Sequence, residues 1–545
     1  MKYIFIGLFF LSCFQNIASQ NKPLKNRSKG LYKKDNTTLK SDPYISSEDS
    51  IKFTAQGFVT YYDFGAAGDG KTDDLSAIAK THTYANKHSL NVKANTGANY
   101  YIGGKNRSVI IQTHTDFGQA KFIIDDTNVQ YIKAPIFIVK SNKKAFHLQK
   151  PTSLKKGQKK LKLNLEQPSI VTAKNHLVKH YIRYGLNKNN GAPQTDIFIV
   201  NKKGKIDKTS PIIWDFNNIT TFKALPIDEE VLTITGGHFT TIANQAPSKY
   251  TYYNRNISVR RSHVVIDGLK HMITGEGSHG APYDGFINIR NCAYVTVKNS
   301  TLTGHKTYQT IGRAKKPVSM GSYDITVNRS LNVSFINCNQ SNNINDKNYW
   351  GIMASNYSKN LRLDHCSFSR FDAHKGVFNA TINHSIIGHM GIKAIGSGTL
   401  RVENTTVHAQ NFISLRKDYG SSWQGNIIIK NAVFAPINHK EKSNLELIDG
   451  SYSGNHNFGY QCYMPKRITI KHLLIDDSKF SKTYDGPFVF KDFNATRKNS
   501  SYKEAFPYVL TDKVYIKNMT SSNGKKITLS KNKYMFKDVK LVIKN

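Results

Sequence analysis

The chain has 545 residues, enough for a large core and more than one structural unit. It carries 77 Lys and Arg against 37 Asp and Glu, a formal charge of +40. A field of that sign gathers polyanions, and the export signal described next makes an acidic polysaccharide the expected partner, with no nucleic acid.

The N-terminus reads as a processed segment. Lys2 precedes the apolar run Ile4–Leu11, and Ile17-Ala18-Ser19 is followed by Gln20. This predicts a signal peptide over 1–19 and a secreted or periplasmic protein. Cys13 follows Leu11-Ser12, but Phe10 stands where a lipoprotein signal carries a branched aliphatic residue, so cleavage is expected rather than lipid anchoring. The run is too short to span a bilayer, and no membrane insertion is expected.

Residues 20–53 are polar and rich in Lys and Ser, and read as a disordered lead or tether. Residues 54–104 form the next unit. Phe58–Lys87 gives an apolar strand, a turn bearing Gly65, Gly68 and Gly70, and a helix starting near Thr72-Asp73-Asp74. Those carboxylates suit an N-cap and the positive end of the helix dipole, so they are read as structural. Ala77, Ile78, Thr81 and Ala85 would form the helix's inward stripe. Residues 105–250 break the rhythm with strand-like runs and a lysine-rich stretch, Leu154–Leu165. They read as an inserted β-rich subdomain or as irregular early coils. Lysine runs such as Lys155–Lys162 also have a plainer reading, as a solvated surface.

From 251 to 480 one phrase recurs: VTVKNST (Val295–Thr301), VSFINCN (Val333–Asn339), LRLDHCSFS (Leu361–Ser369), LRVENTTV (Leu400–Val407) and IIIKNAVF (Ile427–Phe434) among others. Each copy alternates apolar and polar residues, then places Asn or His before another apolar pair, a strand followed by a bend. The bend residues are Asn299, Asn337, His365, His384, Asn404, Asn431 and His472. A unit that cannot bury its own apolar face must stack on copies of itself. The expected fold is therefore all-β: a right-handed parallel β-helix with an N-terminal capping helix and an inserted β-rich subdomain. Residues 481–545 would be terminal coils or a cap. Cys338 and Cys366 directly follow bend residues, and Cys292 follows Asn291. They read, with Cys462, as buried packed thiols, a disulfide being the alternative in an exported protein. The absence of any CxxC pair argues against zinc.

The phrase FVTYYDFGAAGDGKTDD (Phe58–Asp74) resembles the opening segment of the pectate-lyase-like β-helix superfamily, in which a helix caps the open end of the coil. The resemblance implies the fold for roughly 54–480 and is nearly silent about chemistry. The pectin hydrolases of that superfamily carry an Asn-Thr-Asp, an Asp-Asp pair and a His-Gly in successive coils. The first is absent here, and Asp476-Asp477 and His279-Gly280 stand in the wrong order. LRLDHCSFS is similar to an Asp-His segment of pectate lyases, but their Arg-rich partner motif is not evident. The basic balance is more like that of glycosaminoglycan and other acidic-polysaccharide lyases.

The densest ionisable set lies between 305 and 416. Cleavage of a uronate polymer by β-elimination needs the sugar carboxylate neutralised, a base for the C5 proton and an acid for the departing oxygen. Register alignment of the bend residues puts Arg370 and His389 at one level of consecutive coils. The expected catalytic set is His374 as base, Arg370 or Lys375 with Asn379 at the carboxylate, and Tyr323 as acid, with Tyr308 as the other choice. His305, Tyr308, His389, Lys393, His408 and Arg416 would bind neighbouring acidic groups. His365, His384 and His472 sit at the bend and read as stacking side chains. No cofactor is required on this reading; calcium remains a disfavoured option because acids are sparse. The leading expectation is a monomeric secreted lyase of a uronic-acid polysaccharide, sulfated or not, such as chondroitin sulfate. The alternatives are a non-catalytic polysaccharide-binding β-helix, and a glycoside hydrolase acting on a sulfated polysaccharide. Hydrolysis needs a pair of carboxyl groups, for which Asp364, Asp372 and Asp418 are the candidates.

Overall fold

A computed structural model describes residues 45–545 except 248–250, 279, 438–443, 453, 455, 482, 500, 502–507 and 545. The expected signal peptide and most of the expected tether lie outside the described residues. Within the stretch expected as a tether, residues 47–53 are helical instead. A helix spans Ser47–Gln56, capped by the Ser46 hydroxyl accepting from the Asp49 amide. Its Phe53 is buried against the rings of Phe64 and Tyr84, and this apolar anchor holds an otherwise polar segment. Among the described residues no helix is long and apolar enough to cross a membrane.

The body is a right-handed parallel β-helix. One column of strand residues shows the stacking: Leu232, Val264, Val295, Val333, Leu361, Ala380, Leu400, Ile427, Ile468, Val514 and Leu541 are each paired in parallel with the next. Parallel neighbours lie about 4.8 Å apart, so a side chain in one coil sits directly over its counterpart. The inward members are buried and form one continuous core from the capping helix to the C-terminal coils.

All seven bend residues of the recurring phrase adopt left-handed backbone angles, with φ between 44° and 53°. This conformation turns the chain in one residue, and Asn tolerates it better than most because its short amide bonds locally. The amides form a ladder: Asn337 donates to Asn299 at 2.8 Å, and Asn431 to Asn404 at 3.1 Å. His365 and His384 extend it, their rings stacked 4.6 Å apart. Cys338 and Cys366, one step further on, point inward as buried thiols; Cys292 and Cys462 are also buried.

The capping helix spans Leu75–His88, and Ala77, Ile78, Thr81 and Ala85 are buried as the stripe requires. Asp74 occupies the N-cap position but does not cap. Its carboxylate accepts from the amides of Ala67 and Gly68, at 2.6 and 3.1 Å, and so pins the glycine turn.

The stretch 105–250 divides in two kinds. Val109–Ile111, Thr115–Asp125, Phe137–Lys140 and Leu232–Ile242 are coil strands in parallel register. Between them a separate antiparallel sheet is built from Phe146–His147, Ser169–His180, Ala192–Val200 and Thr221–Pro226. This inserted lobe packs on the side of the coil: Ile170, Ile197, Ile199 and Ile227 cluster with Ala293 and Leu331. A fully buried ion pair, Lys359 to Asp196 at 2.7 Å, fastens it.

Candidate functional site

Alternation along the strand Ser367–Asn383 turns Phe371 and Ala373 inward and puts Arg370, Asp372 and His374 on the outer face. Parallel register then places Lys393 over Asp372 and Ser414 over Lys393. Tyr323 begins a strand of an earlier coil, and Arg416 follows the strand Ile413–Leu415. Arg370, His374, Lys393, Ser414, Tyr323 and Arg416 line a pocket of about 610 Å³, with Asp372 buried behind them. Arg313 and Met320, from the hairpin Tyr308–Ile311 and Pro317–Met320, form one side. Lys417, Asp418 and Tyr419 of a short 3-10 turn form another. Arg183 and Asn189 reach in from the inserted lobe. Gly351 is what allows Arg370 to lie across the face: a Cβ there would stand 2.2 Å from the arginine Cδ.

The charges are arranged in two classes. Arginines are paired: Arg370 bonds Asp372, Arg416 bridges Asp372 at 3.1 Å and Asp418 at 2.7 Å, and Arg183 bonds Asp418 at 2.7 Å. Of the pocket's lysines, Lys417 bonds Asp449 at 3.1 Å, whereas among the described residues Lys375 and Lys393 have no ion-pair partner. Burial, then the neighbouring Arg183 and Arg416, pushes the Lys375 ammonium down to about 8. Burial, then Arg370, does the same to Lys393, also to about 8. A half-buried cation without a partner is costly, and an anion brought to it recovers that cost.

His374 is held as a neutral ring. Burial first, then Arg416, Lys375, Arg183 and Arg370, keeps it well below the usual histidine range. Its Nδ1 lies 3.1 Å from Oδ1 of Asn356, whose own amide nitrogen donates to Asn328 at 2.8 Å. The asparagine therefore presents an acceptor, the proton sits on Nδ1, and Nε2 keeps its lone pair. The ring meets Tyr419 edge-on at 5.6 Å, and the guanidiniums of Arg183 and Arg416 lie 5.4 and 5.5 Å from the Tyr419 ring centre. Among the described residues, Nε1 of Trp350, Nε of Arg370 and the Tyr419 hydroxyl are buried beside this pocket without a protein partner.

Of the residues expected from sequence, Tyr323, Arg370, His374, Lys375, Lys393 and Arg416 meet here. Five do not. Asn379 has a left-handed φ of 56° and belongs to a second turn ladder, donating to Asn360 and accepting from the Thr399 amide. It lines a different hollow with Asn332 and Arg401. His305 is buried between Asp324 and Glu276 at 3.2 and 3.4 Å. Tyr308 is buried at the base of the hairpin. His389 and His408 are outside the pocket lining, His389 donating from Nδ1 to the carbonyl of Ile344 at 2.9 Å. A bulge between Phe368 and Arg370 sets Arg370 opposite Gly391, two residues past His389. The register extrapolated from the bend residues misses that irregularity.

Arg183, Trp350 and Tyr419 were not anticipated. Arg183 lies 235 positions from its partner Asp418, in the inserted lobe, and no local pattern marks it. Among the described residues one trio, Asp364, His365 and His384, brings metal-type donor atoms within 4.8 Å of one another. It belongs to the turn ladder, and Asp364 is already bonded by Arg362 and Asn383.

Fold and site define a right-handed parallel β-helix protein with a cationic pocket on its outer face. No family model matches the chain, and no curated protein matches it. Solved structures do match in fold. The chain is similar to the tailspike protein gp49 from Pseudomonas phage LKA1, with a TM-score of 0.51 and 11% identity over 89% of this chain and 84% of that one. It is similar also to the Pseudomonas phage phi297 tailspike gp61, with a TM-score of 0.50 and 12% identity over 85% of this chain and 80% of that one. At such identities the likeness is one of fold.

Proposed function

We propose that the chain is an exported polysaccharide lyase that cleaves a uronic-acid polymer by β-elimination. The observation that carries this reading is a neutral His374, with Nε2 unprotonated, in the same pocket as two unpaired lysines, Lys375 and Lys393. The ammonium groups receive the uronate carboxylate and disperse the charge that builds up when the C5 proton leaves. His374 Nε2 takes that proton as base. The electron pair forms the C4–C5 double bond, the C4–O bond to the departing sugar breaks, and Tyr323 protonates the oxygen released. Arg370 and Arg416 keep their fixed positions through Asp372 and add positive potential without needing to move.

The same ion pairs weigh against hydrolysis. A glycosidase uses two carboxyl groups that are free to donate, attack or activate water. Asp372 is buried between two arginines, and Asp418 is bonded by two as well. In a non-catalytic binding protein nothing would call for a base whose tautomer is fixed. The test is His374→Ala: a loss of about 10²–10⁴-fold in turnover with polymer affinity retained supports the reading. Unchanged formation of unsaturated product would remove His374 from the role of base.

A further inference from the structure

Backbone bonds join three segments at the cationic pocket end to end. The first is the hairpin Tyr308–Ile311 and Pro317–Met320, which leads straight into the coil strand beginning at Tyr323. At its tip the Ala314 amide donates to the carbonyl of Leu186 in the inserted lobe, at 3.0 Å. Close by in that lobe, the Tyr184 amide donates to the Asp418 carbonyl at 2.9 Å, beside the Arg183–Asp418 ion pair at 2.7 Å. Asp418 belongs to the short 3-10 turn that follows the strand Ile413–Leu415. Each segment gives the pocket a side chain: Arg313, Asn187 and Asp418.

The three segments therefore form a bridge that leaves the coil at one strand and rejoins it at another. Those anchoring strands are four pairing steps apart, through Met353–Asn356, Ser367–Asn383 and Ile386–Glu403. At about 4.8 Å per step the bridge spans about 19 Å of coil. Hairpin and lobe meet closely: a Cβ on Gly312 would stand 2.6 Å from the Leu186 carbonyl oxygen. Coil face and bridge together make a closed ring, and residues of both line the pocket.

Resting on the lyase reading above, we infer that this bridge makes the enzyme act on chain ends. A groove that is open along its length admits the middle of a polymer from solvent. Here the sugar that reaches His374, Lys375 and Lys393 has to enter the space between coil face and bridge. An interior stretch of a long chain cannot be laid there while the bridge is intact, whereas a free end can be inserted.

The test uses size-fractionated hyaluronan, chondroitin sulfate, alginate and polygalacturonate at equal mass concentration, below saturation. On a polymer that is cleaved, the initial rate of unsaturated-product formation should double when chain length is halved, because the number of ends doubles. Light scattering should show the remaining polymer keeping its size while short products accumulate. Gly312→Val, at the hairpin tip and outside the catalytic set, pushes the hairpin off Leu186; polymer size should then fall from the first moments. Wild-type rates independent of chain length, with early loss of polymer size, would overturn the inference while leaving the lyase reading intact. A folded Gly312→Val protein that still preserves polymer size would overturn it too, and if that variant does not fold the wild-type measurement decides alone. If no polymer yields unsaturated product, the lyase reading fails instead, and the inference is read from binding. Calorimetric stoichiometry fixed per chain at every length is then expected, and stoichiometry that rises with chain length overturns it.

Discussion

At the scale of single residues, the coil depends on a side chain that accepts a left-handed backbone once per turn. Asn337 does so with φ of 52° and hands its amide to Asn299. Asn337→Ala should cost about 1.5–3.5 kcal/mol, the sum of the αL penalty and a lost hydrogen bond, measured by urea unfolding. Asn337→Gly should cost less, because only the ladder bond is lost. His305 gives a pH signature. Burial pulls its pKa down, but bonds to Asp324 and Glu276 outweigh burial and hold it at about 9. A raised folded pKa stabilises fully below the unfolded value near 6.5 and is lost as pH rises through the folded one. Stability should therefore fall between about pH 6.5 and 9, by at most about 3 kcal/mol, and His305→Gln should flatten that slope. In the pocket the sign concerns activity. Lys375 and Lys393 must be protonated to receive a carboxylate, and both lie near 8. We expect kcat/KM to decline above about pH 8, and Lys375→Arg to move the decline upward.

At the scale of elements, the inserted lobe matters because it carries Arg183 into the pocket. Its attachment rests on the isoleucine cluster and the buried Lys359–Asp196 pair. Asp196→Ala leaves a buried ammonium without its counter-charge, bonded only to the Pro211 carbonyl, and should cost about 3–5 kcal/mol; replacing both partners by apolar residues should cost much less. Thermal unfolding of the single and double variants distinguishes the two cases. The repeating strands were legible because alternation and a polar bend recur. The residues between bends were legible only where the register stays regular. Arg370, Lys393 and Arg416 line one pocket because alternation turns them outward. His389 does not, because a bulge shifts its coil by two residues. Asn379 looked chemical from its neighbours His374 and Lys375, yet its backbone angle makes it a second bend. One polar residue type serves both purposes, and periodicity does not distinguish them.

At the scale of the whole molecule, a β-helix supplies a stiff outer face and leaves function to what projects from it. The formal charge of +40 belongs to that scale. A field of that sign would speed capture of the proposed polyanionic substrate and is screened by salt, so KM should rise with ionic strength while kcat stays near constant. The parts of the pocket contributed from afar stayed invisible in the sequence. Arg183 and Trp350 arrive through packing between distant segments, and no spacing rule joins them to His374. The central claim is β-elimination at this pocket. It is tested most directly by following the ultraviolet band of an unsaturated uronate while the purified protein meets chondroitin sulfates, dermatan sulfate, hyaluronan, heparin, alginate, polygalacturonate and ulvan. Absorbance rising on one polymer, and abolished in His374→Ala, is the predicted result. New reducing ends without that absorbance would mean hydrolysis and would contradict the account.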